Sequence, residues 1–279
     1  MIINKYIFIL ILLIIIYYFI NKNNNNNINI LVINLDKRSN RLRKIIELFK
    51  NIKKPNKYDI IFNRMRANEG IGDYKLYSNW VTNQKLHGCT YYWKDNIKKG
   101  EIGCTLSHLS CIKKYMYNKK NDINIIFEDD VYFENDLFLI IPNILSELSI
   151  IDNNWELLYL GGNNMNNKKK VISDTIIVPS MWYQAHAYIL SKKGINKILN
   201  IEKKITHNLI PWDECLNALS WTHPRIELNK LYLKKENKLN TYATNGYYVR
   251  QLQRIKDGGD GWSDTRNENI IYKKLNKFI

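Results

Sequence analysis

The chain has 279 residues, enough for one large or two small domains with a core that needs no disulfide or zinc staple, so it is no mini-protein. Its 45% hydrophobic and 24% charged residues argue against wholesale disorder, collagen and a polytopic membrane protein. The 42 Lys and Arg against 26 Asp and Glu leave a formal charge of +16, suited to nucleic acid, an anionic membrane surface or phosphorylated ligands. However, Lys, Asn and Ile are abundant throughout, as an AT-rich genome would produce.

The first feature along the chain is the apolar run Tyr6–Ile20, followed by Asn21, Lys22 and a tract of asparagines. Counted with Met1 to Asn4, it reaches the roughly 20 residues a spanning helix needs. No small-x-small cleavage site follows, and the tyrosines near its end sit like interfacial anchors, so an uncleaved signal anchor is expected over a cleaved signal peptide. The organisation expected is an anchor over 1–22, an asparagine-rich stem over 23–28 and a folded domain over 29–279. The protein should then be single-pass and membrane-bound. Analogy with other anchored enzymes puts the folded part outside the cytosol, in the ER or Golgi lumen of a eukaryote, while Lys5 and Lys22 leave the positive-inside vote undecided.

Ile30–Leu35 reads as a buried strand. Ser39 is placed to cap a helix in which Leu42, Ile45, Ile46 and Phe49 recur on one face. Arg38, Arg41 and Arg43 crowd its first turns against the helix dipole, so they are either solvated or meet an anion. Tyr58–Phe62 reads as a strand, Gly100–Tyr117 as a helix, and Asn124–Phe127 as a strand ending in acids. Trp155–Leu160, Val171–Val178 and Tyr183–Leu190 follow as strands, and Lys192–Leu199 as a helix. This alternation predicts an α/β domain with a mostly parallel central sheet flanked by helices, whose ligands sit beyond the C-terminal strand ends.

The sharpest chemical feature is Glu128-Asp129-Asp130 between Ile125-Ile126-Phe127 and Val131-Tyr132-Phe133. In extended backbone Glu128 and Asp130 share one face and Asp129 takes the other. Like charges that close call for a cation, and an all-oxygen set suits Mn²⁺ or Mg²⁺ better than zinc. An acidic turn at a strand end is the plain alternative. Cys89, Cys104, Cys111 and Cys215 form no C-x-x-C pair, and Cys104 and Cys111 lie two helical turns apart, too far to bond. His108 falls between them, but three ligands on one helix rarely converge on one ion, so this stripe reads as core packing.

Asn34-Leu35-Asp36-Lys37-Arg38 with Arg41, Gly100-Glu101-Ile102-Gly103-Cys104-Thr105-Leu106-Ser107-His108, Phe127 to Val131, Leu158 to Gly162, and Ala185 to Ser191 with Gly194 occur in this order. The set resembles glycosyltransferase family 25, the lipooligosaccharide and procollagen galactosyltransferase type, over roughly Ile30 to Leu199. The resemblance implies a GT-A-like nucleotide-diphospho-sugar transferase fold and an inverting, metal-dependent hexosyl transfer. The donor would be a UDP-sugar, typically UDP-galactose, and the acceptor a glycan, glycoprotein or lipid-linked sugar, as in lipopolysaccharide biosynthesis. It implies that Asp130 binds the metal, that Glu128 and Asp129 contact the metal shell or ribose, and that Asn34, Arg38 and Arg41 lie beside the nucleotide. His108 would touch nucleotide or sugar, or serve as a structural histidine, and His186 shares that ambiguity. An inverting transfer needs a base for the acceptor hydroxyl. Asp213, in the first turn of a helix started by Pro211, is the candidate, with Glu214, Asp260 and Asp264 less favoured and a helix cap as the structural alternative. Asp257–Trp262 is a glycine-rich loop that either closes over substrate or is simply mobile. No nucleic-acid motif is present and the basic residues are dispersed, so nucleic acid is not an expected partner. A catalytically inactive homologue that only binds is the main alternative.

Overall fold

A computed structural model describes residue 11 and residues 26–70, 98–119, 122–164, 169–232 and 236–252, without the side chain at 227. The elements in chain order are β1 (Asn26–Asn34), α1 (Ser39–Lys50), β2 (Tyr58–Arg66), α2 (Lys99–Tyr115), β3 (Ile123–Glu128), β4 (Val131–Phe133), α3 (Leu137–Ile151), β5 (Leu157–Tyr159) and β6 (Asn163–Asn164). They continue with β7 (Lys170–Val171), β8 (Ile176–Val178), β9 (Trp182–Tyr183), β10 (Ala187–Leu190), α4 (Lys192–Asn200), α5 (Glu202–Thr206), α6 (Trp212–Ser220), α7 (Ile226–Leu231), β11 (Thr241–Thr244) and β12 (Val249–Gln251).

The eight-stranded sheet has the order β2-β1-β3-β10-β5-β11-β8-β7. β1 is parallel to β2 and β3, and β11 to β5, whereas β10 lies antiparallel between β3 and β5, and β8 antiparallel between β11 and β7. Six of the eight strands therefore point the same way. The mixed α/β architecture with a mostly parallel sheet is as the alternation predicts, with β10 reversed at its centre.

Side-chain alternation divides the core into two layers. Leu31, Ile33, Ile126, Leu157 and Tyr188 pack with Leu109 and Ile112 of α2, Ile195 of α4 and Trp212 of α6. Ile30, Val32, Ile125, Phe127, Leu158 and Ile189 pack on the other face with Ile45 of α1 and Phe138, Ile141 and Leu148 of α3. Both faces are covered, which is why the strands read as continuous apolar runs.

Several local expectations change. β1 starts at Asn26, so the last asparagines of the tract already pair with β2. Ser39 is the first residue of α1, Arg38 holds the cap position, and no side chain caps the helix. The single strand expected over Val171–Val178 is the β7–β8 hairpin. The strand expected over Tyr183–Leu190 is split into β9 and β10 around Gln184, whose φ is +70°. α3 has no counterpart in the sequence reading: it carries Pro142 in its interior, where proline ordinarily ends a helix. Cys104, Cys111 and Cys215 are free thiols, consistent with the spacing argument; Cys89 and the loop Asp257–Trp262 with Asp260 and Asp264 lie outside the described residues. So does the apolar run Tyr6–Ile20 apart from Ile11; among the described residues no helix is long and apolar enough to cross a membrane.

Candidate active site

β1, β3 and β5 deliver their C-terminal ends to one edge of the sheet. β3 stops at Glu128, and Asp129 and Asp130 form a turn before β4. The extended alternation expected for the triplet therefore ends after its first residue, and the three carboxylates gather instead of dividing between faces. Arg41 Nη1 lies 3.2 Å from Asp129 Oδ1 and 3.6 Å from Asp130 Oδ2. The Nε2 amide of Gln251, on β12, lies 3.3 Å from Glu128 Oε2 and 3.3 and 3.2 Å from the two oxygens of Asp130. Glu128 and Asp130 thus converge on one donor, as expected, but through a residue some 120 positions downstream that no local pattern announces.

Asn34 is buried and fully engaged: its amide donates to Asp129 Oδ2 at 2.6 Å and to the Arg38 carbonyl at 3.0 Å, while its oxygen accepts from Arg64 Nε at 2.9 Å. It fixes Asp129 against β1. Arg64 also pairs with Asp36, which Arg66 Nε approaches at 2.7 Å, and the Arg64 hydrogen bond holds the Asp36 carboxyl below its ordinary range. Arg41 answers the question left by the basic helix start: it is buried and meets the acids. Arg38 is half-buried and enters the site through its carbonyl.

Burial pushes the Asp130 carboxyl well above its ordinary range, and the charges of Glu128 and Asp129 push it further. Asp129 is raised by burial in spite of Asn34 and Arg41. For Glu128, burial acts upward, but the His108 hydrogen bond and the charges of His108, His186 and Arg41 prevail and lower it. Three crowded carboxylates, one of them pushed well above its ordinary range by burial and by the charges of the other two, are an oxygen-rich cradle that a divalent cation would relieve, so these residues fit such an ion.

His108 is fully buried between the rings of Tyr188 and Trp212. Trp212 Nε1–H donates to the Tyr188 hydroxyl at 3.1 Å, that hydroxyl lies 2.9 Å from His108 Nδ1, and His108 Nε2 lies 3.4 Å from Glu128 Oε1. One consistent proton order runs Trp212, Tyr188, His108, Glu128, so His108 orients an acid from inside the core. Cys104 joins this cluster: its sulfur, a His108 nitrogen and a Glu128 oxygen lie within 4.8 Å of one another. The helical spacing found two of these three residues, but the third comes from β3, and Cys111 packs into the core instead. Burial and the charge of Glu128 push the Cys104 thiol well above its ordinary range. His186 is buried, with Nε2 3.3 Å from the Val249 carbonyl and Nδ1 without a partner among the described residues.

Pro211 sits at the cap of α6 and places Asp213 and Glu214 in its first turn, as the sequence suggests. The two acids part company there. Glu214 is completely buried and lies 2.6 Å from His223 Nε2, whose Nδ1 accepts from the Arg225 N–H, so it is a structural acid and not a base. Asp213 Oδ1 accepts the N–H of its neighbour Glu214 at 2.9 Å, and no side chain caps the helix. Burial, with the charges of Glu214, Glu101 and Glu128, pushes its carboxyl up to about 7.

A mixed α/β sheet that collects its charged groups beyond the C-terminal ends of parallel strands has the architecture of a ligand-binding α/β protein. Residues 27–216 match the family described as glycosyltransferase family 25 (LPS biosynthesis protein), and the chain belongs to that family. It is 25% identical over 254 residues to a glycosyltransferase 25 family member of Aedes aegypti, covering 90% of this chain and 40% of the relative. It is 26% identical over 146 residues to procollagen galactosyltransferase 2 of Mus musculus, covering 51% of this chain and 23% of the relative. It is also 29% identical over 136 residues to the inactive glycosyltransferase 25 family member 3 of the same species, covering 48% of this chain and 22% of the relative. The chain thus spans less than half the length of these curated relatives.

Proposed function

We propose that the chain is a GT-A-like, metal-dependent hexosyltransferase that moves galactose from UDP-galactose, with inversion, to a hydroxyl on a glycan or protein. The observation that carries this reading is the convergence of Glu128, Asp129 and Asp130 on Arg41 and Gln251 at the end of β3. Asp130 and Glu128 would hold Mn²⁺ or Mg²⁺; when bound, such an ion neutralises the diphosphate so that UDP can leave. Arg41 supplies further positive charge beside the acids, and Asn34 with Asp129 fixes the floor of the nucleotide side. His108, through Tyr188, sets the orientation of Glu128. Asp213 takes the proton of the acceptor hydroxyl: a carboxyl raised to about 7 is a better base near neutrality than an ordinary aspartate. The apolar run Tyr6–Ile20 supports a signal anchor over 1–22, with the stem and the folded domain following it on the lumenal side.

Hydrolysis and transfer of UDP-galactose by the purified chain, with and without Mn²⁺, test the proposal. Metal-dependent turnover that falls about 100-fold or more in Asp130→Asn is expected; turnover indifferent to both would overturn it. One observation favours a second reading, a binding homologue without turnover: the 29% identical relative named as inactive. Metal-dependent UDP binding without any donor consumption would select it.

A further inference from the structure

The acids divide the functional edge of the sheet into two sides. On the β1–β2 side, Asn34, Arg64, Asp36 and Asp129 bond to one another. On the β5–β10 side lies a cavity of about 510 Å³, within the range of small-ligand sites. It reaches the acids through Gln251, which is both part of its wall and the donor to Glu128 and Asp130. Its other polar walls among the described residues are Tyr132, Asn163, Gln184, His186, Tyr247 and Arg250.

One wall residue is held in a costly conformation. Gln184 has φ +70°, left-handed backbone that favours glycine. The chain on its N-terminal side is clamped: Tyr183 and Trp182 pair with Asn163 and Asn164, and the Asn217 side chain bonds both the N–H and the carbonyl of Trp182 at 2.8 Å. Gly162 is fixed opposite at φ +135°, where a Cβ would stand 2.2 Å from the Trp182 ring nitrogen. The surroundings over-determine the turn, and a glycine at 184 would satisfy it without strain.

The wall chemistry is specific. Amides and phenols both donate and accept, which matches hydroxyls that do the same, and tyrosine rings offer apolar faces to C–H surfaces. Among the described residues the wall holds no carboxylate. The charge of Arg250 is directed to Glu134, 3.5 Å away, and its guanidinium lies 5.0 Å from the Tyr132 ring centre.

We infer that this cavity is the acceptor site, that it takes a neutral, hydroxyl-rich sugar, and that Gln184 reads the sugar's hydroxyls. This rests on the transferase reading for the word acceptor, but the sugar-binding claim can be tested apart from it. Gln184→Gly removes the amide while suiting the backbone, so the variant should melt at the same temperature or higher. Saturation-transfer NMR of the full chain with methyl β-galactoside and methyl β-glucoside, and with free hydroxylysine for comparison, should show transfer from the wild type to a glycoside alone, lost in Gln184→Gly. Where turnover is measurable, the acceptor KM in the variant should rise about tenfold, with donor hydrolysis unchanged. Glycoside transfer or acceptor KM unaffected by Gln184→Gly, or preferential binding of hydroxylysine, would overturn the inference. If glycoside binding depends on Gln184 while no donor is consumed, the transferase reading fails and the sugar site stands.

Discussion

Two buried acidic clusters in this chain have opposite characters. Around Glu214 the charge is enclosed and answered: the carboxylate is completely buried against His223, and fully buried Arg225 bonds the same histidine through its N–H. Around Glu128, Asp129 and Asp130 the acids outnumber the arginines that face them among the described residues, and burial together with the charges of Glu128 and Asp129 drives Asp130 well above its usual range. A cluster closed on itself holds the fold together; a cluster left with surplus like charge at a strand edge is arranged for something that arrives later. Sequence places Asp213 and Glu214 side by side, yet Glu214 is completely buried against His223 while Asp213 keeps partial exposure.

The contrast can be broken from the structural side first. Glu214→Ala should remove about 3–5 kcal/mol of stability, the cost of stranding the partner of a buried pair, seen as a large fall in the denaturant midpoint; an unchanged midpoint would show that the cluster is not structural. Next, Asp213→Asn should lower transfer about 100-fold or more while raising neutral-pH stability. The sign follows from the raised carboxyl: between the unfolded value near 4 and the folded value of about 7, the native state binds more protons than the unfolded state, so stability falls as pH rises. Transfer by the wild type should correspondingly decline below about pH 7, and a flat profile from pH 5 to 8 would remove Asp213 as the base. The smallest effect belongs to Tyr188→Phe, which leaves the buried Trp212 N–H and His108 Nδ1 unanswered. A loss of about 1–2 kcal/mol in stability should come with about tenfold weaker metal affinity, read by titration calorimetry, because His108 no longer holds Glu128.

How much of this was legible in the sequence depends on the range of the contact. β1, α1, α2, β3 and α4 follow from apolar periodicity, and the acidic triplet announces itself because carboxylates at the end of a buried strand are conspicuous. The helix start at Pro211 is equally local. What periodicity cannot show is which strand lies next to which: β10 enters antiparallel beside β3, and this brings Tyr188 to His108 and His186 toward Glu128. Gln251 joins the acids only because β12 pairs with β4, a register without any signature in the residues around it. α3 escapes notice because Pro142 interrupts an otherwise plain helical pattern, and the turn at Gln184 because glutamine carries no left-handed signal.

The most direct test of the central claim is the melting temperature of the full chain titrated with Mn²⁺ in the presence of UDP, for the wild type and for Asp130→Asn. Ligation by the acids at the end of β3 predicts a metal-dependent rise in the wild type, at constant UDP, that grows with Mn²⁺ concentration. It also predicts a folded variant that shows almost none. An equal rise in both proteins would contradict the assignment of the cation to Asp130.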